Sequence, residues 1–343
     1  MSERLGRILE QHCDAANGSP YWLERQAELG FSLVSRIACL DDFDLLGAFD
    51  LEALRRRPVT DFMPRHVAAA PLLFAETGGT TGVPATTAYS MGDFHAAFVA
   101  PLLNRLEGSA VFRGGFWLWL GPSGPHVIGK AAQRIASITT GADAFAIDFD
   151  PRWFRRLAVG SLARTRYMEH LLHQALRIIV QQDVRYLFTT PVVLDALSER
   201  MPAREREAIR LVYLGGMAID DTILLRCAAR LPAALFLGGY GNTLFGVCHE
   251  ARAARPQPGP RRYFPQSERL AVRVVDAASR RPCAYGDRGR LVMYRIDASC
   301  LLPLVIERDE ATRLAPLPGE CADGFGDPRP PCTASLHVDN GIY

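Results

Sequence analysis

The chain has 343 residues, 48% of them hydrophobic and 22% charged, a composition that supplies a sizeable core and excludes intrinsic disorder. A formal net charge of +2, from 39 basic and 37 acidic residues, provides no global field for nucleic acid or an anionic membrane, and neither partner is expected. The length allows one large α/β domain or two of ordinary size.

At the amino terminus, SERLGRILEQHC sets Leu5, Ile8 and Leu9 at helical spacing and lacks the apolar core of a signal segment. A second helix is predicted over DDFDLLGAFDLEALRRR, ending before Pro58. From there to about residue 250, short apolar runs alternate with amphipathic stretches. Strands are expected at FWLWL (116–120), AFAID (144–148), YLFTT (186–190), LVYLGG (211–216) and AALFLGG (233–239). Helices are expected at 91–106, 126–138, 164–182, 191–200 and 219–230, which predicts a mostly parallel sheet covered by helices. The segment ARAARPQPGPRR (251–262) reads as a joint. After it, RLAVRVVD, RGRLVMYR and LLPLVIER are spaced like antiparallel strands of a small sheet or barrel, and the tail 316–343 reads as irregular. The division expected is an α/β core over 1–250 and a small β subdomain over 251–343. No apolar run nears the roughly 20 residues that span a bilayer. The eight cysteines form no C-x-x-C pair and no zinc spacing, so a cytoplasmic protein with reduced thiols is expected.

The strongest chemical signal is FAETGGTTGVPATT (74–87). Residues Thr77, Gly78, Gly79, Thr80, Thr81 and Gly82 leave no side-chain bulk between a phosphate and the backbone N–H groups. The three hydroxyls add donors, and successive N–H groups in a turn form an anion nest. Taken alone, the same composition also suits a plain surface loop.

The segment resembles the phosphate loop, T-S-G-T-T-G-x-P-K, of the adenylate-forming superfamily, which includes acyl-CoA synthetases, peptide-synthetase adenylation domains and firefly luciferase. Further resemblances follow in the family's order. LVYLGGMAID (211–220) is similar to the strand whose Gly-Gly turn lies beside adenine, which implies that Gly215, Gly216 and Met217 bind nucleotide. GGYGNTLFG (238–246) resembles the Y-G-x-T-E motif, implying a role for Tyr240, Gly241, Asn242 and Thr243. PCAYGDRGRLVMYR (282–295) is similar to the Gly-Glu-x-Gly-Glu-Leu stretch of the small β subdomain. LPLVIERDEATRL (302–314) resembles the segment whose aspartate binds both ribose hydroxyls, implying Asp309, with Glu310 as the alternative by a one-residue gap. LGPSGPHVIG (120–129) looks like the segment at the acyl pocket, implying His126. The resemblance covers about 74–314 and is nearest to the phenylacetate–CoA ligase branch.

It implies the N-terminal core of an adenylate-forming enzyme: two packed α/β subdomains that bind nucleotide and acid, a small β-barrel-like subdomain, and no C-terminal lid domain. Among the catalytic positions it implies Thr80, Thr243 and His126. The reaction implied is carboxylate plus ATP giving acyl-adenylate and pyrophosphate, with Mg²⁺ expected. The substrate implied is a small carboxylic acid, and the flat apolar strand FWLWL would suit an aromatic one. Truncated relatives in phenazine pathways and luminescence operons imply hand-off to a separate reductase, carrier protein or other acyl acceptor in small-molecule biosynthesis.

Three departures stand against this. Ala85 replaces the loop lysine, Leu244 replaces the metal-binding glutamate, and the chain ends near where the mobile domain would begin. An apolar residue cannot ligate a hard cation. Glu250 is the nearby alternative, and Arg308 or Arg313 could offset missing positive charge. Carboxylate attack on an α-phosphate brings two anions together, so losing one neutralising group typically costs roughly 10² to 10³ in rate. A catalytically degenerate scaffold is therefore the competing reading.

Other patterns carry less. GPHVIGKA (124–131) nearly matches a P-loop around Lys130, the only lysine, with Asp148 as a second acidic motif; but Ala131 replaces the hydroxyl and Pro125 removes an N–H. His170 and His173 stand at i, i+3 on a helix, where a solvated face is the simpler reading than a metal site. Trp117 and Trp119 read as a buried strand. Cys321 and Cys332 are surface thiols or an acyl acceptor, and the arginine clusters at 55–57, 155–156 and 261–262 are solvated faces.

Overall fold

The structure, a computed structural model, describes residues 2–78 and 83–331. The labelled helices are α1 Ser2–Cys13, α2 Pro20–Leu29, α3 Val127–Thr140, α4 Leu162–Gln181, α5 Pro191–Arg200 and α6 Asp221–Arg230. The strands are β1 Leu72–Glu76, β2 Thr86–Ser90, β3 Phe116–Gly121, β4 Phe145–Asp148, β5 Val184–Thr189, β6 Leu211–Leu214 and β7 Leu235–Asn242. They continue with β8 Gly246–His249, β9 Arg262–Tyr263, β10 Leu270–Val275, β11 Arg288–Ile296, β12 Leu301–Leu314 and β13 Gly324–Arg329.

Among the described residues the chain divides into two compact units that interleave along the sequence. Unit 1 holds 2–101, 242–247 and 264–331; unit 2 holds 102–241 and 248–263. The expected single boundary at residue 250 is therefore not where the contacts divide. The reason is packing: the apolar stripe of α1 and α2 is buried by the carboxy-terminal strands. Leu5, Leu9, Trp22 and Phe43 form one core with Val292, Tyr294, Ile296 and Leu301.

In unit 1, β10, β11, β12 and β13 run antiparallel in that order. Two sequence expectations change here. The tail is not irregular throughout, since β13 pairs with β12. The helix predicted over 41–57 is instead a 3₁₀ turn, Leu40–Leu46, and a single helical turn, Ala53–Arg56. Gly47 at φ 70° ends the first, in a backbone region that favours glycine, while Phe43 is driven fully into the core.

Unit 2 is a parallel sheet of order β4-β3-β5-β6-β7, extended by β8. The predicted strands are present within two residues of their expected ends, save that β7 runs three residues further, to Asn242, and the helices at 126–138, 164–182, 191–200 and 219–230 correspond to α3 to α6. Side-chain caps begin α4 and α6, where Ser161 accepts from Arg164 N–H and Asp220 from Ile223 N–H; Gly141 at φ 73° closes α3. The strand order reverses around β3, and in such sheets ligands bind beyond the carboxyl ends at the reversal.

Candidate functional site

In unit 1, β1 and β2 form an antiparallel hairpin that carries the Gly/Thr loop. Thr77 closes its foot: its N–H donates to the Ala85 carbonyl and its hydroxyl accepts from the Ala85 N–H, both at 2.9 Å. Thr77 and Gly78 are thus placed at the loop's foot, whereas Gly79, Thr80, Thr81 and Gly82 lie outside the described residues. The hydroxyl of Thr243 donates to the Glu76 carbonyl (3.3 Å), and Tyr89 donates to the Thr243 carbonyl (2.8 Å). Asn242 donates to Glu307 on β12 (2.9 Å) and accepts from the Leu244 N–H (2.8 Å). Hydrogen bonds thus tie the 242–244 turn to the foot of the hairpin on one side and to β12 on the other.

A buried ionic network holds this backbone. Arg269 and Arg295 converge on Asp297, all three no more than 2% exposed. Arg269 donates to both carboxylate oxygens (2.8 and 2.6 Å), and Arg295 to one (2.7 Å). Burial alone would raise the Asp297 carboxyl, but the two guanidinium groups hold it below the usual range. Their remaining N–H groups supply the irregular backbone. Arg269 donates to the Phe245 carbonyl, and Arg295 to the carbonyls of Leu244 and Ala88 and the hydroxyl of Thr87. The Arg295 guanidinium also lies 3.7 Å over the Tyr89 ring. His12 closes the network through the Asp297 carbonyl (2.9 Å) and the Ser19 hydroxyl (2.6 Å).

Asp309 stands on β12 two residues beyond Glu307, and Arg308 lies 3.6 Å from its carboxylate. Burial, with Asp309 close by, pushes the Glu307 carboxyl up to about 7. Sequence reading missed Glu307. The available signal was a carboxylate at the end of the apolar run LLPLVI, two residues before the expected ribose ligand.

In unit 2, the carboxyl ends of the strands carry the other expected residues. Gly121 ends β3 and Pro122 to His126 follow it, Thr190 follows β5, Gly215 to Met217 follow β6, and Tyr240 and Gly241 lie at the end of β7. The turn after β3 is fixed by Asp148, whose carboxylate accepts from the N–H and hydroxyl of Ser123 (3.0 and 2.7 Å), and His126 stands at the N-cap of α3. Gly216 takes φ 80° at the turn after β6, and Tyr240 packs against Tyr263 with ring centroids 5.9 Å apart. One sheet face is aromatic. Trp119, Phe188 and Tyr213 align in register across β3, β5 and β6, with ring centroids 4.4 and 4.1 Å apart, and His249 follows at 5.3 Å. Burial lowers His249 to about 3, so it is neutral beside the Tyr213 hydroxyl, 2.9 Å from its Nε2.

The departures gain geometry. Ala85 and Leu244 are both buried, at 3% and 4% exposure, so neither position presents a polar group. Glu250 does not replace the lost metal carboxylate, because one of its oxygens accepts from the Gly238 N–H (2.7 Å) and the other faces Arg261 (3.4 Å). Among the described residues no group of three His, Cys, Asp or Glu is placed to hold a metal ion. Arg313 is committed to Asp323 and the Cys283 carbonyl. The P-loop alternative fails on shape: Val127, Ile128 and Gly129, which would have to be loop, are the first turn of α3. His170 and His173 are exposed on α4, as on a solvated face, and Cys321 is exposed while Cys332 lies outside the described residues. Among the described residues no helix is long and apolar enough to cross a membrane.

No protein-family model and no curated protein matches the chain. Among solved structures it is similar to 2-hydroxyisobutyryl-CoA ligase in complex with 2-HIB-AMP and CoA. In the thioesterification state the TM-score is 0.63 at 17% identity, over 91% of this chain and 62% of that one. In an open conformation it is 0.63 at 15%, over 99% and 76%. An ATP-bound RpMatB–BxBclM chimera gives 0.52 at 16%, over 75% of this chain and 47% of that one. The chain thus spans about three-fifths to three-quarters of the ligase, and its mixed α/β fold is that of the N-terminal core of adenylate-forming ligases.

Proposed function

We propose that the chain activates a small aromatic carboxylic acid as its acyl-adenylate. The acid's carboxylate oxygen attacks the α-phosphorus of ATP, the bond to the β-phosphate breaks, and pyrophosphate leaves. In this reading Thr77 to Gly82 cradle the triphosphate, Thr80 donates to the phosphoryl oxygens, Thr243 faces the α-phosphate, and Asp309 holds the ribose. Gly215, Gly216 and Met217 flank adenine, Tyr240 to Asn242 complete its surroundings, and His126 stands at the acyl end. The acyl group passes to a separate reductase, carrier protein or other acceptor in a cytoplasmic biosynthetic pathway. No step is routed through Mg²⁺.

One observation carries the reading. Thr243 lies on the foot of the Gly/Thr hairpin and Asn242 on β12 beside Asp309's neighbour Glu307, so three motifs separated by 65 and 167 residues meet through hydrogen bonds. A chance Gly/Thr-rich loop has no reason to meet the other two. Oriented N–H and hydroxyl donors at the phosphates then supply the main catalytic effect, stabilisation of charge in the transition state.

A second reading, a non-catalytic binding or scaffold protein, is favoured by the burial of Ala85 and Leu244. Incubation with Mg-ATP and a pool of carboxylic acids, read by liquid chromatography and mass spectrometry, separates the two. Acid-dependent AMP or acyl-AMP supports adenylation; unchanged ATP at high protein concentration supports the scaffold. Asp309→Ala should weaken ATP binding about tenfold to a hundredfold by calorimetry, the usual worth of a hydrogen bond to a charged group.

A further inference from the structure

We infer that unit 2 holds a pocket for an aromatic acid bearing a hydroxyl substituent, which Trp119 Nε1 and Thr190 Oγ1 hydrogen-bond beside the Phe188–Tyr213 row. This rests on the acid-activating reading and names the substrate class within it.

Two buried polar atoms carry the inference. Trp119 and Thr190 are each 2% exposed, and neither the indole N–H nor the threonine hydroxyl finds a hydrogen-bond partner among the described residues. Leaving such groups unmade is costly enough that native interiors seldom do so without a completing molecule. Thr190 is also the N-cap residue of α5, a position where threonine normally bonds the helix, yet its side chain makes no cap. Its hydroxyl is therefore committed to nothing among the described residues.

Register brings the two groups to the same place. Trp119, Phe188, Tyr213 and Leu237 lie opposite one another across the parallel strands. Two residues further on, the same face carries Gly121, Thr190, Gly215 and Gly239, where the strand order reverses. Three glycines and a threonine leave this row almost without side chains, directly beyond an aromatic one. Trp119 leans into it. A Cβ built on Gly121 would lie 2.3 Å from the indole Cζ2 and Cη2, so only glycine at 121 lets the ring extend toward the carboxyl end. Thr190 is the neighbour of Gly121 in that register, and the adjacent Thr189 hydroxyl bonds the Leu120 carbonyl (3.0 Å).

The chemistry selects the ligand. The tilted Trp119, Phe188 and Tyr213 rings offer faces and edges to a flat ring. Indole N–H only donates, whereas the threonine hydroxyl donates or accepts. A phenolic oxygen accepts from the first and exchanges a hydrogen bond with the second. A site built to bond a substrate hydroxyl rejects the analogue that lacks it more sharply than a purely apolar pocket can.

The test is equilibrium binding, by calorimetry without ATP, of benzoate and its 2-, 3- and 4-hydroxy derivatives to the full chain and to Trp119→Phe and Thr190→Val. These variants keep ring and shape and remove one polar group each, and thermal melts confirm that both fold. At least one hydroxybenzoate should bind the parent chain about tenfold or more tighter than benzoate, and each substitution should erase about tenfold of that preference while leaving benzoate affinity in place. Equal affinity for benzoate and every hydroxybenzoate, no binding of any of them, or a preference that survives both substitutions overturns the inference. AMP release in the same samples judges the adenylation reading separately. A preference lost in the variants without any acid-dependent AMP sinks adenylation and leaves the pocket, whereas AMP formation with an unmoved preference sinks the pocket alone.

Discussion

In unit 1 the 243–245 turn is irregular backbone, and buried guanidinium groups donate to its Leu244 and Phe245 carbonyls. In unit 2 the expected ligand-facing residues stand at strand ends, where the parallel ladder already satisfies the backbone and aromatic side chains need only pack. The difference teaches when a protein needs a buried charge. A strand end obtains its hydrogen bonds from its neighbour, but a turn folded into the interior must obtain them from a side chain. A fixed fork of donors such as arginine can reach several carbonyls at once. That arrangement carries the desolvation of three charges, so unit 1 should be the more sensitive to losing a single side chain.

The sharpest way to break the comparison is Arg295→Met. It removes donors from the Leu244 and Ala88 carbonyls and from Thr87 and leaves Asp297 with one fewer counter-charge; a loss of about 3 to 5 kcal/mol in urea unfolding is expected. A loss below about 1 kcal/mol would mean that the turn does not depend on the network.

Acid probes both regions through one histidine each. Burial lowers His12 to about 4 in unit 1 and His249 to about 3 in unit 2, against 6.5 for the free group. Below pH 6.5 the unfolded chain takes up protons that the folded chain refuses. The stability these residues contribute is therefore complete above pH 6.5 and declines as pH falls toward 4 and 3. Together they should account for a loss of about 3 kcal/mol by pH 5.5. His249→Gln and His12→Asn, compared with the parent chain by unfolding at several pH values, should each flatten part of the decline; a parent chain equally stable at pH 7 and 5.5 would refute the assignment.

Glu307 sharpens the comparison from the alkaline side of unit 1. Its carboxyl, raised to about 7, favours the folded state while protonated, so its contribution is full below about pH 4.5 and disappears as pH rises through 7. Glu307→Gln keeps the neutral form, and at pH 8 the variant should be the more stable by on the order of 2 kcal/mol. Equal stability at pH 8 would place the carboxylate in a more solvated setting. The smallest effect expected is in unit 2. Gly121→Ala meets the Trp119 ring and should cost about 1 to 2 kcal/mol, with a change in tryptophan fluorescence as the ring is displaced.

The parallel sheet and its helices were legible because alternation, apolar runs and caps act within a few residues; β3 and α4 to α6 appear within two residues of their expected bounds. Of the Gly/Thr loop only the foot, Thr77 and Gly78, lies among the described residues. The ionic anchor was not. Arg269, Arg295, Asp297 and His12 gain meaning only through pairing across hundreds of residues, and the sequence hint was a lone arginine in the apolar run LVMYRI. The hairpin β1–β2 and the strand β13 were missed because short Thr-, Gly- and Pro-containing strands look like loops until a partner is known. Trp119 was read as core, which it is, but its unclaimed N–H emerges only when each neighbouring acceptor can be counted. The two compact units were hidden in the same way: local composition marks the Pro/Arg-rich joint, while contacts place α1 and α2 against β11 and β12.

That last arrangement sets a timetable for the ribosome. The first helices emerge with Leu5, Ile8, Leu9 and Trp22 uncovered, yet Val292, Tyr294, Ile296 and Leu301 are made some 270 residues later. At elongation rates of about 5 to 20 residues per second, the amino-terminal apolar stripe waits on the order of ten seconds or more for its cover. Unit 2, by contrast, has β3 to β6 and their helices in one uninterrupted stretch and needs no such wait for its parallel core. The nascent chain therefore has a built-in interval in which a chaperone or a misfolded alternative competes for its first helices.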